Sequence, residues 1–184
     1  MSCERDGAPP QTVWQGKWLR IVQRGSWEYV ERTNGEGVSV VIIAATPERK
    51  LLFVEQTRVP IQSRTIEMPA GLVGDLDAGE SLLLAAEREL LEETGWRAGR
   101  IEYLMTGPSS AGMSTERMAF VRATELVRVH AGGGDDSEDI LVHEIDIDDA
   151  PRWLAARMAE GYEIDAKVWA GLWMLTRNPD GSPA

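Results

Sequence analysis

A chain of 184 residues holds one domain, or one domain with a small appendage, and is long enough to bury a sizeable core. Its formal charge of −11 opposes nonspecific nucleic-acid binding, which needs Lys and Arg against phosphates, but leaves room for a small phosphorylated ligand recruited through carboxylate-bound cations. No apolar run approaches the ~20 residues of a membrane span, and the single cysteine, Cys3, excludes an internal disulfide or a multi-cysteine zinc site.

The N-terminal stretch MSCERDGAPPQT lacks the basic start and apolar run of a signal peptide. It is expected to stay on the chain, frayed, with Cys3 incidental and the protein cytoplasmic. Residues 13–33 alternate loosely between apolar and polar and carry Trp14, Trp18, Trp27 and Tyr29, which predicts two or three short antiparallel strands. Asn34-Gly35-Glu36-Gly37 is a turn signal and sets the expected boundary between an N-terminal β region (1–36) and the main domain (37–184). The apolar run Val38–Ala44 reads as a buried strand, with Leu51–Gln56 as its partner across a turn at 46–50. A short strand at 65–68 leads into a Gly-rich loop, Ala70 to Gly79. Ser81 to Thr94 is the clearest helix, stopped by Gly95. Strands follow near 101–105, 117–123 and 140–145, the last two separated by a Gly- and Asp-rich loop at 131–136. Helices near 147–160 and 164–177 close the chain; the second reads as a packing helix with Trp169, Leu172 and Trp173 on its apolar side. Strands mixed with three helices predict an α/β fold with a sheet between helices.

On the Ser81–Thr94 helix, Glu89, Glu92 and Glu93 fall within roughly 100° of one another, and Leu83, Leu84, Leu90 and Leu91 are expected on the buried side. Like charges at i, i+3 and i+4 repel, and a divalent cation between them would reverse the sign of that interaction. Arg88, four residues before Glu92, can orient the cluster. The bland alternative is a solvated acidic face. The spacing decides against it. Gly74-x5-Glu80-x7-Arg88-Glu89-Leu90-x-Glu92-Glu93-x-Gly95-Trp96 resembles the Nudix box at every fixed position, with Trp96 where the family usually has an aliphatic residue.

That resemblance implies a Nudix α/β/α sandwich around a mixed sheet, and attack of water on the diphosphate of an X-linked nucleoside diphosphate. It implies Glu89 and Glu93 as the main metal ligands, with Glu92 supporting them or sharing a second ion. Arg88 and Glu80 would steady the box, bounded by Gly74 and Gly95. Two or more Mg²⁺ ions are expected, with Mn²⁺ able to substitute.

Outside the box, residues from about 15 to 176 resemble the ADP-ribose and nucleoside-diphosphate-sugar pyrophosphatase branch. Glu55-Gln56-Thr57-Arg58 resembles its E-Q-x-R segment, which makes Arg58 a phosphate contact; otherwise Arg58 is a strand-end surface charge. Glu67-Met68-Pro69-Ala70-Gly71 resembles its E-x-P-A-G, where the Ala carbonyl is a metal ligand, with Glu67 alternatively a loop anchor. Here Gly71 precedes the box glycine by three residues, so the loop between them is longer. Ser110-Ala111-Gly112-Met113-Ser114-Thr115-Glu116 stands where the branch shows S-P-G-x-x-x-E, and Ala111 replaces the proline. Met113 and Glu116 are substrate-side candidates, Glu116 equally a plain strand-start charge. Glu138, in a stretch resembling G-E-D-I-x-V-H, is the candidate general base, or part of a solvated loop; His143 reads as structural. Trp27, Glu28 and Arg32 match a region that in the branch swaps between subunits and holds adenine and phosphate; alternatively the tryptophans make a small core or dimer interface. Either way a homodimer through the N-terminal region is expected.

The expected substrate is therefore ADP-ribose or a related nucleoside diphosphate sugar. A GDP- or UDP-sugar remains an alternative, as does a non-catalytic nucleotide-sensing domain. The retained Glu80, Glu89, Glu92 and Glu93 disfavour a sensor.

Overall fold

The computed structural model describes residues 7–34, 37–75, 77, 79–134 and 139–184. Strands β1 (Gln11–Gln15), β2 (Leu19–Arg24) and β3 (Trp27–Arg32) form an antiparallel sheet in that order, as the alternation predicts. Gly25, at φ 59°, opens the two-residue turn between β2 and β3.

The central strand is β4 (Val38–Ala44). It runs parallel to β10 (Arg117–Thr124) and antiparallel to β7 (Ala70–Leu72), while β9 (Arg100–Pro108) completes the order β7-β4-β10-β9. Both faces of β4 are covered, which is why its sequence is an unbroken apolar run rather than an alternation. Val40, Ile42 and Ala44 pack toward α1 (Leu82–Thr94) with Ala85, Ala86 and Leu90. Val41 and Ile43 pack toward α2 (Ala150–Ala159) and α3 (Ala166–Thr176), against Leu154, Val168 and Met174. The expected α/β sandwich is present, with its mixed sheet divided in two.

The second mixed sheet has the order β12-β5-β6-β13, from β5 (Lys50–Arg58), β6 (Ser63–Glu67), β12 (Leu141–Asp146) and β13 (Glu163–Ile164). Its composition corrects one expectation. Residues 51–56 do not form a hairpin with β4: a single bridge joins Ala45, just past β4, to Leu51, and β5 pairs with β12 and β6. Both strands are apolar on both faces, so each takes the centre of its own sheet and nearness along the chain does not decide pairing. A small pair, β8 (Trp96–Arg97) with β11 (Val127–Arg128), follows the box helix.

α1 begins where Ser81 caps it, its hydroxyl accepting from the Leu84 amide, and ends at Gly95 with φ 75°. A side chain at Gly95 would strike the His130 carbonyl oxygen at 2.2 Å, so this glycine serves close packing as well as the left-handed cap. The leucine face was misread. Leu83 and Leu84 are exposed and Leu91 is half-buried, whereas Ala85, Ala86, Leu90, Glu93 and Thr94 are buried. Small alanines let the helix approach β4 and β7 closely, and this rotates Glu93 inward and Leu84 outward. α3 is likewise turned from the expected face: Val168, Gly171 and Met174 are buried, and Trp169 and Trp173 are nearly half-exposed.

Truncating Leu90 to alanine is expected to cost about 2–5 kcal/mol in denaturant unfolding. Leu84→Ala is expected to stay within about 0.5 kcal/mol, and equal losses at both sites would contradict the assigned face.

Candidate active site

The box helix presents its carboxylates to a cleft of about 760 Å³ between the two large sheets. Its floor is the β7 backbone. The Ala70 amide donates to Glu93 Oε2 at 3.0 Å, and Glu93 is only 4% exposed. A Cβ on Gly71 would lie 1.9 Å from the carboxyl carbon of Glu89, so only glycine lets this strand rest on that carboxylate. Ala70, whose carbonyl is the anticipated metal ligand, therefore lines the cleft beside Glu89 and Glu93.

Arg88 organises the acidic groups as its spacing predicts. Its Nε and Nη2 donate to the two oxygens of Glu80 at 2.8 and 3.0 Å. Nη1 reaches Glu89 at 2.8 Å and Glu92 at 3.2 Å, and Nη2 also reaches Asp75 at 3.1 Å. The bidentate Arg88 contact holds the Glu80 carboxyl below its usual range. Glu80 in turn accepts from the amide of Gly74, which has φ 74°, so the loop entering the helix is tied to the same pair. Glu89 shows the opposite shift: burial pushes its carboxyl up to about 7, against the favourable charge of Arg88.

Arg58 enters from the end of β5. Its Nε and Nη2 meet the two oxygens of Glu67 at 2.7 and 2.8 Å, and the Thr65 hydroxyl donates to Glu67 at 2.5 Å. Glu67 is buried, whereas the guanidinium is half-exposed to the cleft, raised in pKa by Glu67 first and further by Glu93 and Asp165. Arg32 and Glu116, 84 residues apart, meet at 2.7 Å and line the same cleft.

Other anticipated residues lie elsewhere. Trp27 and Met113 line a separate cavity of about 370 Å³ with Arg24, Tyr29 and Ala111, apart from the carboxylates. Glu28 is exposed on β3 and lines neither cavity. Glu138 falls outside the described residues. Trp14 and Trp18 are each 56% exposed and Trp27 is 52% exposed, so they form no core within this chain. His143 lines neither cavity: its Nε2 pairs with buried Glu55 at 2.8 Å and its ring packs on Trp153. Sequence reasoning missed Asp75, Glu163, Asp165 and Lys167, all on the cleft. Glu163, Asp165 and Lys167 carry no motif and arrive there through parallel pairing of β13 with β6.

Among the described residues, eight carboxylates line this cleft against four cationic side chains, Arg32, Arg58, Arg88 and Lys167, each of which already has an acidic partner. A diphosphate entering alone would meet net negative charge. The donor set fits a hard divalent cation, since it offers carboxylate and carbonyl oxygens without thiol or imidazole. Glu89 points the same way, because a buried carboxyl with a raised pKa is ionised by a nearby dication. As they stand, no three such side chains converge on one point among the described residues. Arg88 bridges Glu89 and Glu92, and Glu93 turns to the Ala70 amide, so holding a cation requires these side chains to re-aim.

Gly71→Ala should expose the cost of the tight floor. The displaced group is the end of a flexible side chain, so the stability loss should stay near ~1 kcal/mol while hydrolytic activity falls at least about tenfold. Full activity in a purified, folded variant would show that the Glu89–Gly71 contact is dispensable.

The NUDIX domain model matches residues 35–171. An ADP-ribose pyrophosphatase of Bacillus subtilis (strain 168) is 32% identical over 166 residues, covering 85% of this chain and 86% of that protein. A GDP-mannose pyrophosphatase of Pectobacterium atrosepticum is 30% identical over 143 residues, or 73% and 69% of the two chains. A methanol dehydrogenase activator of Bacillus methanolicus is 34% identical over 117 residues, 63% of this chain and 62% of that protein, so this chain spans under two thirds of that relative. The crystal structure of an ADP compounds hydrolase shares the fold, with TM-score 0.64 and 21% identity over 78% of this chain and 80% of that one. With the box on its helix and its carboxylates gathered on one cleft, the chain belongs to the Nudix hydrolase family.

Proposed function

We propose that this chain hydrolyses the diphosphate of ADP-ribose or a related nucleoside diphosphate sugar, releasing a nucleoside monophosphate and a sugar phosphate. The observation that carries the reading is the seating of Glu89 and Glu93 on the Ala70–Gly71 backbone inside an acidic cleft that also holds Arg58 and Arg32. The relatedness to ADP-ribose and GDP-mannose pyrophosphatases supports the substrate class.

Glu89, Glu93 and the Ala70 carbonyl, with Glu92 as a further ligand, would hold two or more Mg²⁺ ions, and Mn²⁺ would substitute. Such ions supply charge neutralisation for the diphosphate and acidify water near phosphorus. The protein's own part is orientation. Arg58, fixed by Glu67 through Nε and Nη2, keeps the Nη1 edge of its guanidinium for a phosphate oxygen, and Arg32 on Glu116 offers a second cation. Arg88 keeps the like-charged glutamates together until substrate and cations arrive. Glu138 is the proposed general base. In support, the chain approaches that segment along α1: the Gly133 and Gly134 amides donate to the Glu93 and Glu92 carbonyls at 2.8 and 3.1 Å.

A GDP- or UDP-sugar is the second reading, favoured by Ala111 in place of the branch's proline and by the GDP-mannose relative. The proposed setting is the cytoplasm. Among the described residues no helix is long and apolar enough to cross a membrane.

The proposal includes a homodimer through residues 1–36, with residues 37–184 as the hydrolase domain. Its support is the apolar surface of the N-terminal sheet, where Val13, Trp14, Trp18, Leu19 and Trp27 are all exposed. Trp27 and Met113 would then meet the base at or near that interface, and Glu28 would act, if at all, across it.

Incubation with Mg²⁺ and ADP-ribose, ADP-glucose, GDP-mannose and UDP-glucose, followed by chromatography, should show a nucleoside monophosphate. Glu93→Gln should lower the rate by roughly a hundredfold or more and weaken Mn²⁺ binding in electron paramagnetic resonance, without unfolding the chain. Tight nucleotide binding with no turnover by the wild type would point instead to a sensing domain. For the dimer, light scattering at micromolar protein should give twice the chain mass, and Trp14→Ser with Trp18→Ser should halve it; a monomeric wild type refutes the interface.

A further inference from the structure

The cleft has two unlike sides. One is carried by β3, β4 and the segment before β10, with Arg32, Ser39 and Glu116. Trp27 on β3 and Met113 in the segment that leads to Glu116 line the separate cavity rather than this cleft, Trp27 standing an odd number of residues from Arg32 and so on the opposite face of the strand. The other side is carried by β5, β6, β13 and the first turn of α3. Among the described residues no aromatic ring lines either side; this one, beside the apolar Pro60, Ile61, Ile164 and Ala166, offers amide, hydroxyl, carboxylate, guanidinium and ammonium groups.

Register makes the second side a built surface. Gln56 on β5 pairs with Thr65 on β6, and Thr65 pairs with Glu163 on β13, so the three lie in a row across the strands and all face the cleft. At ~4.8 Å between strands, the row spans about 10 Å, enough for one sugar ring. Beyond it the Asp165 amide bonds the Ile66 carbonyl at 3.0 Å, which anchors the entry to α3. The Asp165 side chain accepts from the Lys167 amide at 2.8 Å and pairs with the Lys167 ammonium, holding that ammonium over the cleft. Thr65 is committed to Gln56 and Glu67. The Gln56 amide and the Glu163 carboxylate have no side-chain partner among the described residues.

We infer that Gln56, Glu163 and Lys167 read the hydroxyl groups of the sugar half of the substrate and set which sugar is accepted; this rests on the hydrolase reading above. Sugar hydroxyls each donate and accept, and the row supplies both kinds of partner: an amide with each, a carboxylate that accepts, and an ammonium with donors left after Asp165. The Arg58 guanidinium shares the cleft with this row, paired to Glu67 and within the field of both Glu93 and Asp165. A diphosphate held at Arg58 and the carboxylates therefore extends one substituent onto the row and leaves the other for the Arg32 side. Polar sites of this kind discriminate strongly, because a missing hydroxyl strands their groups.

The test compares wild type, Lys167→Met and Gln56→Ala on two substrate series. One holds the base constant and varies the sugar (ADP-ribose, ADP-glucose, ADP-mannose). The other holds the sugar constant and varies the base (ADP-, GDP- and UDP-glucose). The expected result is a change of about tenfold or more in kcat/KM ratios among sugars, chiefly through KM, with base ratios kept within about twofold. Thermal melts verify folding, and Gln56→Ala serves independently if Lys167→Met loosens α3. A uniform loss across every substrate, or a change in base preference, overturns the sugar-reading role. A wild type inert on all nucleoside diphosphate sugars overturns the hydrolase reading and this one with it, whereas activity with unmoved sugar ratios overturns this one alone.

Discussion

The contact on which the site depends is the seating of two helix carboxylates against strand backbone. Glu93 takes the Ala70 amide, and Glu89 lies where any side chain on Gly71 would stand. Everything around the cleft follows from the closeness of that approach. Ala85 and Ala86 keep α1 near β4 and β7, Gly95 lets its end pack on the 130–132 segment, and Ser81 fixes its start. The helix is thus constrained at both ends and along one face, which sets the carboxylates without any flexible connection.

Clustering carboxylates opposes folding, and the chain offsets part of the cost with a single guanidinium. Arg88 contacts Glu80, Glu89, Glu92 and Asp75 at once, yet burial still pushes the Glu89 carboxyl above its usual range. The pairing pattern repeats around the cleft, where Arg58, Arg32 and Lys167 each stand on an acidic residue. Paired cations are oriented but not free, and the surplus of acid remains. An anionic substrate would therefore depend on added positive charge, for which the box helix offers carboxylate oxygens.

Sequence patterns read well where one local rule dominated. The doubly buried β4 announced itself as an apolar run, and Ser81 and Gly95 bracketed the helix by their capping chemistry. They failed where small residues outcompeted large ones for the core. Leu83, Leu84, Trp169 and Trp173 look like core by size, yet Ala85, Ala86 and Leu90 on α1 and Val168, Gly171 and Met174 on α3 occupy the buried faces, the small residues marking where helix and sheet approach most closely. Pairing of β5 was misjudged for a related reason, since two apolar strands carry no mark of which sheet each joins.

Taken alone, the sequence determined the family, the box glutamates and their tie to Arg88, since these depend on spacing within one helix and one loop. It also marked Arg58, Arg32 and Glu116 as residues to watch. Only the tertiary structure decided that Arg32 meets Glu116 across 84 residues, that Arg58 is locked to Glu67, and that Glu163, Asp165 and Lys167 join the cleft. It likewise separated Trp27 and Met113 from the carboxylates. The physical reason is the range of the forces involved. Helix periodicity and capping act within a few residues, whereas sheet register brings together side chains that share no local pattern.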